Sequence, residues 1–324
     1  MKAIVVEECG GPEQLRLVDL PLPEPGPAEV VVQIAVSGVN FIDVYFRTGL
    51  YKAPFPVGIG SEAAGVISAV GSEVQGLAVG DRVAYAMARG SYAEYARVPA
   101  SSVVKVPDGV TFEQAAAVLL QGMTAHYLTR STFALKAGDT CLVHAAAGGT
   151  GALVVQMAKS LGATVIGTVS TPAKAAVALA AGADAAINYT EQDFAAEVRR
   201  LTGNRGADVV YDGVGRSTFE KSLDALRQRG MLVLFGNASG AVPPVDPLVL
   251  NAKGSLFLTR PTLGHYIATR DELVWRAGEV FEGVASGALT VRIDAAYPLD
   301  RAADAHRVLE ARGTTGKLLI AVRA

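Results

Sequence analysis

The chain has 324 residues, half of them hydrophobic, with a formal net charge of −2. That length suits about two domains with sizeable cores. The near-neutral balance, with no basic block, does not indicate a nucleic-acid partner, and Cys9 and Cys141 are too few and too far apart in sequence for a disulfide framework or a thiolate metal cluster.

Residues 1–7 read as a strand at once and lack a signal-peptide layout, and no apolar run reaches membrane-spanning length. A reducing, cytoplasmic setting without membrane contact is expected. Short β-like runs at 29–36, 65–70, 81–85 and 92–96, set among Gly and Pro turn signals, predict an irregular β-rich domain. Thr111-Phe112-Glu113-Gln114 fits a capping box and opens a helix that resumes through 123–127 after a break at Gly122. From 140 onward strands at 140–143, 163–168, 184–188, 208–212, 231–235 and 255–259 alternate with helices at 151–161, 172–181, 191–202 and 216–229. This alternation predicts an α/β fold with a doubly wound parallel sheet and a ligand at its switch point. Cys141 falls on the first of these strands and reads as an inert core thiol; His144, just past it, reads as a hydrogen-bonded structural residue. A further helix covers 271–286. The last strand candidates, 297–299 and 316–322, need a sheet to join, which returns the tail to the first domain. The expected organisation is 1–123 plus 262–324 around a nucleotide domain at 124–261.

The most informative stretch is the turn after the first strand of that domain, Ala146-x-Gly148-x-x-Gly151, a dinucleotide fingerprint with Ala for its first Gly. Small residues there let phosphates approach backbone N–H groups and the positive end of a helix dipole. Dinucleotide sites selective for NAD carry an acid at the end of the second strand, about 20 residues on. Here Gly167-Thr168-Val169-Ser170-Thr171-Pro172-Ala173-Lys174 has none, and offers two hydroxyls and a lysine suited to a 2′-phosphate. Ser170 and Thr171 also suit a helix cap with Pro172 in the first turn, and the two readings are compatible. Tyr189, after the third strand, flanks the same phosphate or the adenine. NADPH is therefore the expected cofactor.

The segments 38–45, 47–51, Gly60-Ser61-Glu62-Ala63-Ala64-Gly65, Gly80-Asp81-Arg82-Val83, Gly122-Met123-Thr124-Ala125, the nucleotide turn, 167–174, Asn188-Tyr189 and Phe235-Gly236-Asn237 carry a further signal. Through them the whole chain resembles the zinc-independent quinone oxidoreductases of the medium-chain dehydrogenase/reductase superfamily, the ζ-crystallin group, and most of all its bacterial NADPH:quinone reductase branch. Thr150 departs from the Val more usual there, a change that nearly conserves shape. The resemblance implies a GroES-like catalytic domain, a Rossmann domain, NADPH in a cleft between them and a homodimer formed through edge strands of the nucleotide domains. It implies that Asn40, Asp43, Tyr45 and Tyr51 lie in or near the active site. It places Thr124 at the nicotinamide end, Gly149 and Thr150 at the pyrophosphate, Ser170, Lys174 and Tyr189 at the 2′-phosphate region, and Phe41, Gly148 and Gly151 among the cofactor contacts. Phe235, Gly236 and Asn237 would line the nicotinamide side, and Lys317 would be a further cofactor contact.

Zinc alcohol dehydrogenases share this architecture, but where they carry the first cysteine ligand this chain has Ser37-Gly38-Val39-Asn40, and where they carry Gly-His-Glu it has Gly60-Ser61-Glu62. No metal is expected. Without a Lewis acid the acceptor must already be electrophilic, a quinone or a conjugated enone, whose product oxyanion needs only donors and a proton. Tyr45 and Tyr51 are candidate donors and Asn40 an orienting group; equally, the tyrosines are boundary residues and Asp43 a turn or cap residue. The leading reading is an NADPH-dependent quinone reductase, by hydride or single-electron steps. An enone or enoyl reductase and a nucleotide-binding protein with a structural or RNA-binding role are the alternatives.

Overall fold

The computed structural model describes residues 1–323. These form two units, one comprising Met1–Met123 and the chain from Ile267 on, the other Thr124–Tyr266. The chain re-enters the first unit at Ile267, where the sequence reading put the return at 262.

The second unit is built on a six-stranded sheet. Its strands are Thr140–Val143, Thr164–Val169, Ala185–Asn188, Ala207–Asp212, Leu226–Leu234 and Phe257–Thr259. They lie in the order third, second, first, fourth, fifth, sixth, all parallel. The strand order reverses beside the first strand, which is where such sheets open a crevice at their carboxyl ends. The first and fourth strands are buried along their whole length, as a strand covered on both faces must be. Leu142, Ile166, Val210 and Leu232 join Phe194, Val198, Phe219 and Leu223 in one core cluster. Each such side chain contributes roughly 1.5–3 kcal/mol by leaving water.

Three local expectations are corrected. The helix at 216–229 spans only Phe219–Ala225, and Leu226 already belongs to the next strand. Its apolar stripe ends at Leu226, the following Arg227, Gln228 and Arg229 are polar, and Arg229 takes a positive φ of 57° that no helix continues. The helix Phe112–Tyr127 is unbroken at Gly122. That glycine serves close packing instead, since a Cβ on it would lie 2.7 Å from Val280 Cγ1. The helix after the nucleotide turn starts at Gly149, not 151.

The first unit holds a seven-stranded sheet. Glu29–Gly38 lies at its centre, paired with Glu62–Val70, Tyr95–Pro99 and the last strand, Lys317–Ala321. Lys317–Ala321 also runs parallel to Ile293–Pro298, so the tail completes this sheet. Leu319 lies opposite Gly38, and Val39 N–H donates to Leu318 O at 2.9 Å. This register brings residue 317 beside the chain turning from Gly38 into the short helix Phe41–Arg47. Thr111 caps Phe112–Tyr127 by the expected reciprocal bonds with Gln114.

Candidate active site

In the second unit, Ala145 adopts φ 52° and the chain folds back so that Gly148 N–H donates to Ala145 O at 2.8 Å. Gly151 passes so close to that carbonyl that a Cβ would lie 2.2 Å from it. Only glycine allows this approach. The helix Gly149–Ser160 then begins without a side-chain cap. The N–H groups of Gly149, Thr150 and Gly151, lacking partners one turn back, face out of its N-terminus. This is the geometry of an anion site.

The turn is braced from beneath. His144, buried, bonds Thr168 Oγ1 through Nδ1 at 2.8 Å and Ser222 Oγ through Nε2 at 2.9 Å. Burial lowers its pKa against the opposing pull of Asp212, so it is the structural residue expected. Asp212 accepts from Val214 N–H, Gly215 N–H, Thr218 Oγ1 and Ser222 Oγ. The loop it holds touches the one after the fifth strand: a Cβ on Gly236 would lie 2.3 Å from Gly213 O. Phe235, Gly236 and Asn237 thus sit at the carboxyl end of the sheet.

The second and third strands end together. Val169 pairs with Asn188, and Tyr189 N–H donates to Val169 O at 3.0 Å. Ser170, Lys174 and Tyr189 are gathered at that corner. Thr171 is the cap of Pro172–Ala180, its Oγ1 accepting from Lys174 N–H at 3.2 Å. The capping reading therefore holds for Thr171.

In the first unit the candidates Asn40, Asp43 and Lys317 fall into one polar cluster with Glu62 and Gln121, to which sequence reasoning gave no role. Lys317 and Glu62 form a fully buried ion pair. Asn40 joins both: its Oδ1 accepts from Lys317 Nζ at 2.7 Å and from Gln121 Nε2 at 3.2 Å, and its Nδ2 donates to Glu62 Oε1 at 2.7 Å and Gly38 O at 3.3 Å. Glu62 Oε2 accepts from Leu120 N–H at 2.8 Å. Asn40 is thereby saturated, with both donors and both lone pairs used. Lys317 is placed inside this pair.

Asp43, also fully buried, accepts from Asn40 N–H at 2.9 Å. It accepts further from Ser61 Oγ at 2.6 Å and Tyr92 OH at 3.2 Å. Burial raises its pKa to about 6, against the hydrogen bonds from Ser61 and Asn40 and the charge of Lys317. The row continues from Tyr92 OH to His306 Nε2 at 3.2 Å, from His306 Nδ1 to Arg47 Nη1 at 3.1 Å, and from Arg47 to Glu310 by two bonds at 2.8 and 3.0 Å. Burial, and then Arg47, push the His306 pKa down to about 3.

Tyr45 is buried and packs edge-on against the half-buried Tyr51, ring centroids 5.2 Å apart; Phe41 lies 6.3 Å from Tyr45. Thr124 is buried at the start of the second unit. Glu62 lies within the signal segment 60–65 and Gln121 adjoins the one at 122–125, which was the only hint of them. Arg47 stood in the segment 47–51 and Tyr92 in the β-like run 92–96 without a role assigned to either, and no motif contained His306. Among the described residues no cluster of three or more His, Cys, Asp or Glu is placed to hold a metal, and no helix is long and apolar enough to cross a membrane.

Two family models match, an alcohol dehydrogenase GroES-like domain over residues 26–108 and a zinc-binding dehydrogenase domain over 149–273. A quinone oxidoreductase of Pseudomonas aeruginosa is 48% identical, covering 98% of this chain and 99% of its own. A 2-haloacrylate reductase of a Burkholderia species is 41% identical over 99% of each. The crystal structure of Escherichia coli quinone oxidoreductase complexed with NADPH superposes with a TM-score of 0.97 at 46% identity, covering 99% of this chain and 100% of that one.

Proposed function

The chain belongs to the quinone oxidoreductase family of the medium-chain dehydrogenase/reductase superfamily, and from that premise we propose that it is an NADPH-dependent reductase of quinones. The observation that carries the cofactor reading is the corner at Ser170, Lys174 and Tyr189: a cation and hydroxyls stand where an NAD site has its acid.

The residues fit a nicotinamide dinucleotide phosphate. Gly149, Thr150 and Gly151 would hold its pyrophosphate on N–H groups at the uncapped helix start, beside Gly148, whose own N–H is spent on Ala145 O, and the Ala145–Gly151 approach makes the cradle that a Cβ would fill. Ser170, Lys174 and Tyr189 would hold the 2′-phosphate, and Phe41, Thr124, Phe235, Gly236 and Asn237 the nicotinamide end. When bound, NADPH supplies the reducing equivalents. The chain's own residues bind and orient. Asn40 is a positioning residue because its hydrogen-bonding capacity is spent within the protein, and Asp43 is one because it is fully buried and bonded to Asn40, Ser61 and Tyr92. Lys317 belongs to the same framework and not to the cofactor contacts. Tyr45 and Tyr51 remain the candidate proton donors. Ser61, bonded to Asp43, stands where zinc relatives carry a ligand, and so supports a reaction without zinc on an acceptor that is already electrophilic.

The similarity to a 2-haloacrylate reductase favours conjugated alkenes as a second acceptor class. We also assign a homodimer in the cytoplasm. Phe257–Thr259 is an edge of the six-stranded sheet, and Phe257 is 57% exposed on it. The deciding experiment is NADPH oxidation in metal-free buffer with a panel of quinones and enones. Turnover with quinones is expected, and absence of turnover with every conjugated acceptor overturns the reading.

A further inference from the structure

Amide groups look alike from either side, and their neighbours decide which way they face. An ammonium only donates, so Lys317 must meet Asn40 Oδ1; a carboxylate only accepts, so Glu62 must meet Asn40 Nδ2. The buried ion pair therefore fixes the orientation of Asn40. Asn40 Oδ1 in turn requires a donor from Gln121, which turns Gln121 Nε2 inward at 3.2 Å. Gln121 Oε1 is left facing the other way. It is buried and has no hydrogen-bond partner among the described residues. Among the described residues only one other buried side-chain polar atom shares that condition, the Tyr85 hydroxyl, and Tyr85 lies in an apolar core cluster with Val32, Val83 and Val103. Gln121 differs in lying at the end of a row of oriented polar groups. Reversing its amide would set Oε1 against Asn40 Oδ1, so the orphan acceptor cannot relax by itself.

We propose that Gln121 Oε1 is a ligand-contact atom of the reductase site, accepting a hydrogen bond from an N–H or O–H of the bound ligand. This rests on the reductase reading above. Two sources carry such a donor: the carboxamide of the nicotinamide, and the hydroxyl that the acceptor gains on reduction, when a quinone takes up two electrons and two protons to become a hydroquinone. A quinone carbonyl has no hydrogen to give. In the second case Gln121 therefore distinguishes product from substrate, and Glu62, Lys317 and Asn40 act as positioning residues that aim it.

The test is Gln121→Met, close in shape and without the amide, beside the wild type. The acceptor arm compares inhibition by a hydroquinone and by its dimethyl ether, which lacks the hydroxyls. The cofactor arm compares the Kd of NADPH with that of its 3-acetylpyridine analogue, which lacks the amide N–H. About a tenfold weakening of the donor-bearing ligand in one arm, with its donor-less partner unchanged, is expected and names the source. Equal weakening of both members of each pair would mean a merely structural role, and no change in either arm would mean that Oε1 meets no ligand; each overturns the assignment. Quinone turnover by the wild type tests the reductase reading separately, so the two failures are distinguishable.

Discussion

Arg47 donates to His306 Nδ1 at 3.1 Å, and that bond sets the direction of every hydrogen bond between Arg47 and Asp43. A guanidinium cannot accept, so Nδ1 carries the lone pair and Nε2 the proton. His306 Nε2–H then donates to Tyr92, and the Tyr92 hydroxyl donates to Asp43. The row runs one way, from a buried cation to a buried carboxyl, through a histidine held neutral.

The two titrating members of that row oppose each other in acid. His306, near 6.5 when unfolded and pushed down to about 3 in the fold, contributes stability above pH 6.5 that is lost as pH falls toward 3. Asp43, near 3.9 when unfolded and raised to about 6 in the fold, contributes stability below pH 4 that is lost as pH rises through 6. Between pH 6 and 4 the slopes cancel. Asp43→Asn removes one of them, and urea unfolding across that range is expected to show stability falling about 1.4 kcal/mol more per pH unit toward acid than in the wild type. Parallel profiles would refute the coupling.

The Glu62–Lys317 pair is predicted to show strong non-additivity. Glu62→Gln leaves a buried ammonium without its counter-charge and should cost about 3–5 kcal/mol. Adding Lys317→Met to it should recover most of that loss. Equal and additive losses in a denaturation cycle would mean that the pair is not an isolated buried couple.

Gly151→Ala puts a methyl 2.2 Å from the Ala145 carbonyl. Because the clash is with backbone, the turn must open. The expected result is a Kd for NADPH weakened by roughly tenfold or more, with a lowered Tm. Unaltered binding, measured by cofactor fluorescence, would show that the turn does not carry the pyrophosphate.

Lys174→Ala is expected to raise the KM for NADPH by roughly tenfold and to leave that for NADH nearly unchanged, since a charge-assisted bond to a phosphate is lost in one case only. Steady-state kinetics with both cofactors decides it, and equal effects would remove Lys174 from the phosphate site.

Phe257→Asp should convert a dimer into a monomer in sedimentation velocity, by placing a charge on the unpaired sheet edge. A wild type that sediments as a monomer, or a variant that remains dimeric, would exclude this edge as the interface.

The parallel sheet was legible because doubly covered strands are buried along their length and run mostly apolar, as at Cys141–Val143 and Val209–Tyr211. The nucleotide turn was legible because its chemistry is local. Helix ends were not, where one polar run served two elements: Arg227 to Arg229 read as helix and form strand. The polar cluster of the first unit was the least legible. Asn40 and Asp43 stood out by family pattern, but their partners are remote along the chain: Lys317 meets Glu62 across 255 positions and Arg47 meets His306 across 259. No periodicity reports such pairings, and the histidine at 306 sits in no motif of the sequence.

That distance along the chain also sets an order of assembly. Thr124–Tyr266 is one continuous piece and can fold as soon as it leaves the ribosome. The first unit waits for Lys317–Ala321, because that strand closes onto Glu29–Gly38 and brings the only cation bonded to Glu62 among the described residues. A nascent chain that has not yet made residues 317–321 already owns its nucleotide turn, yet carries an open sheet edge and an uncompensated carboxylate at Glu62. Synthesis thus completes the nucleotide turn before the strand that neutralises Glu62 exists.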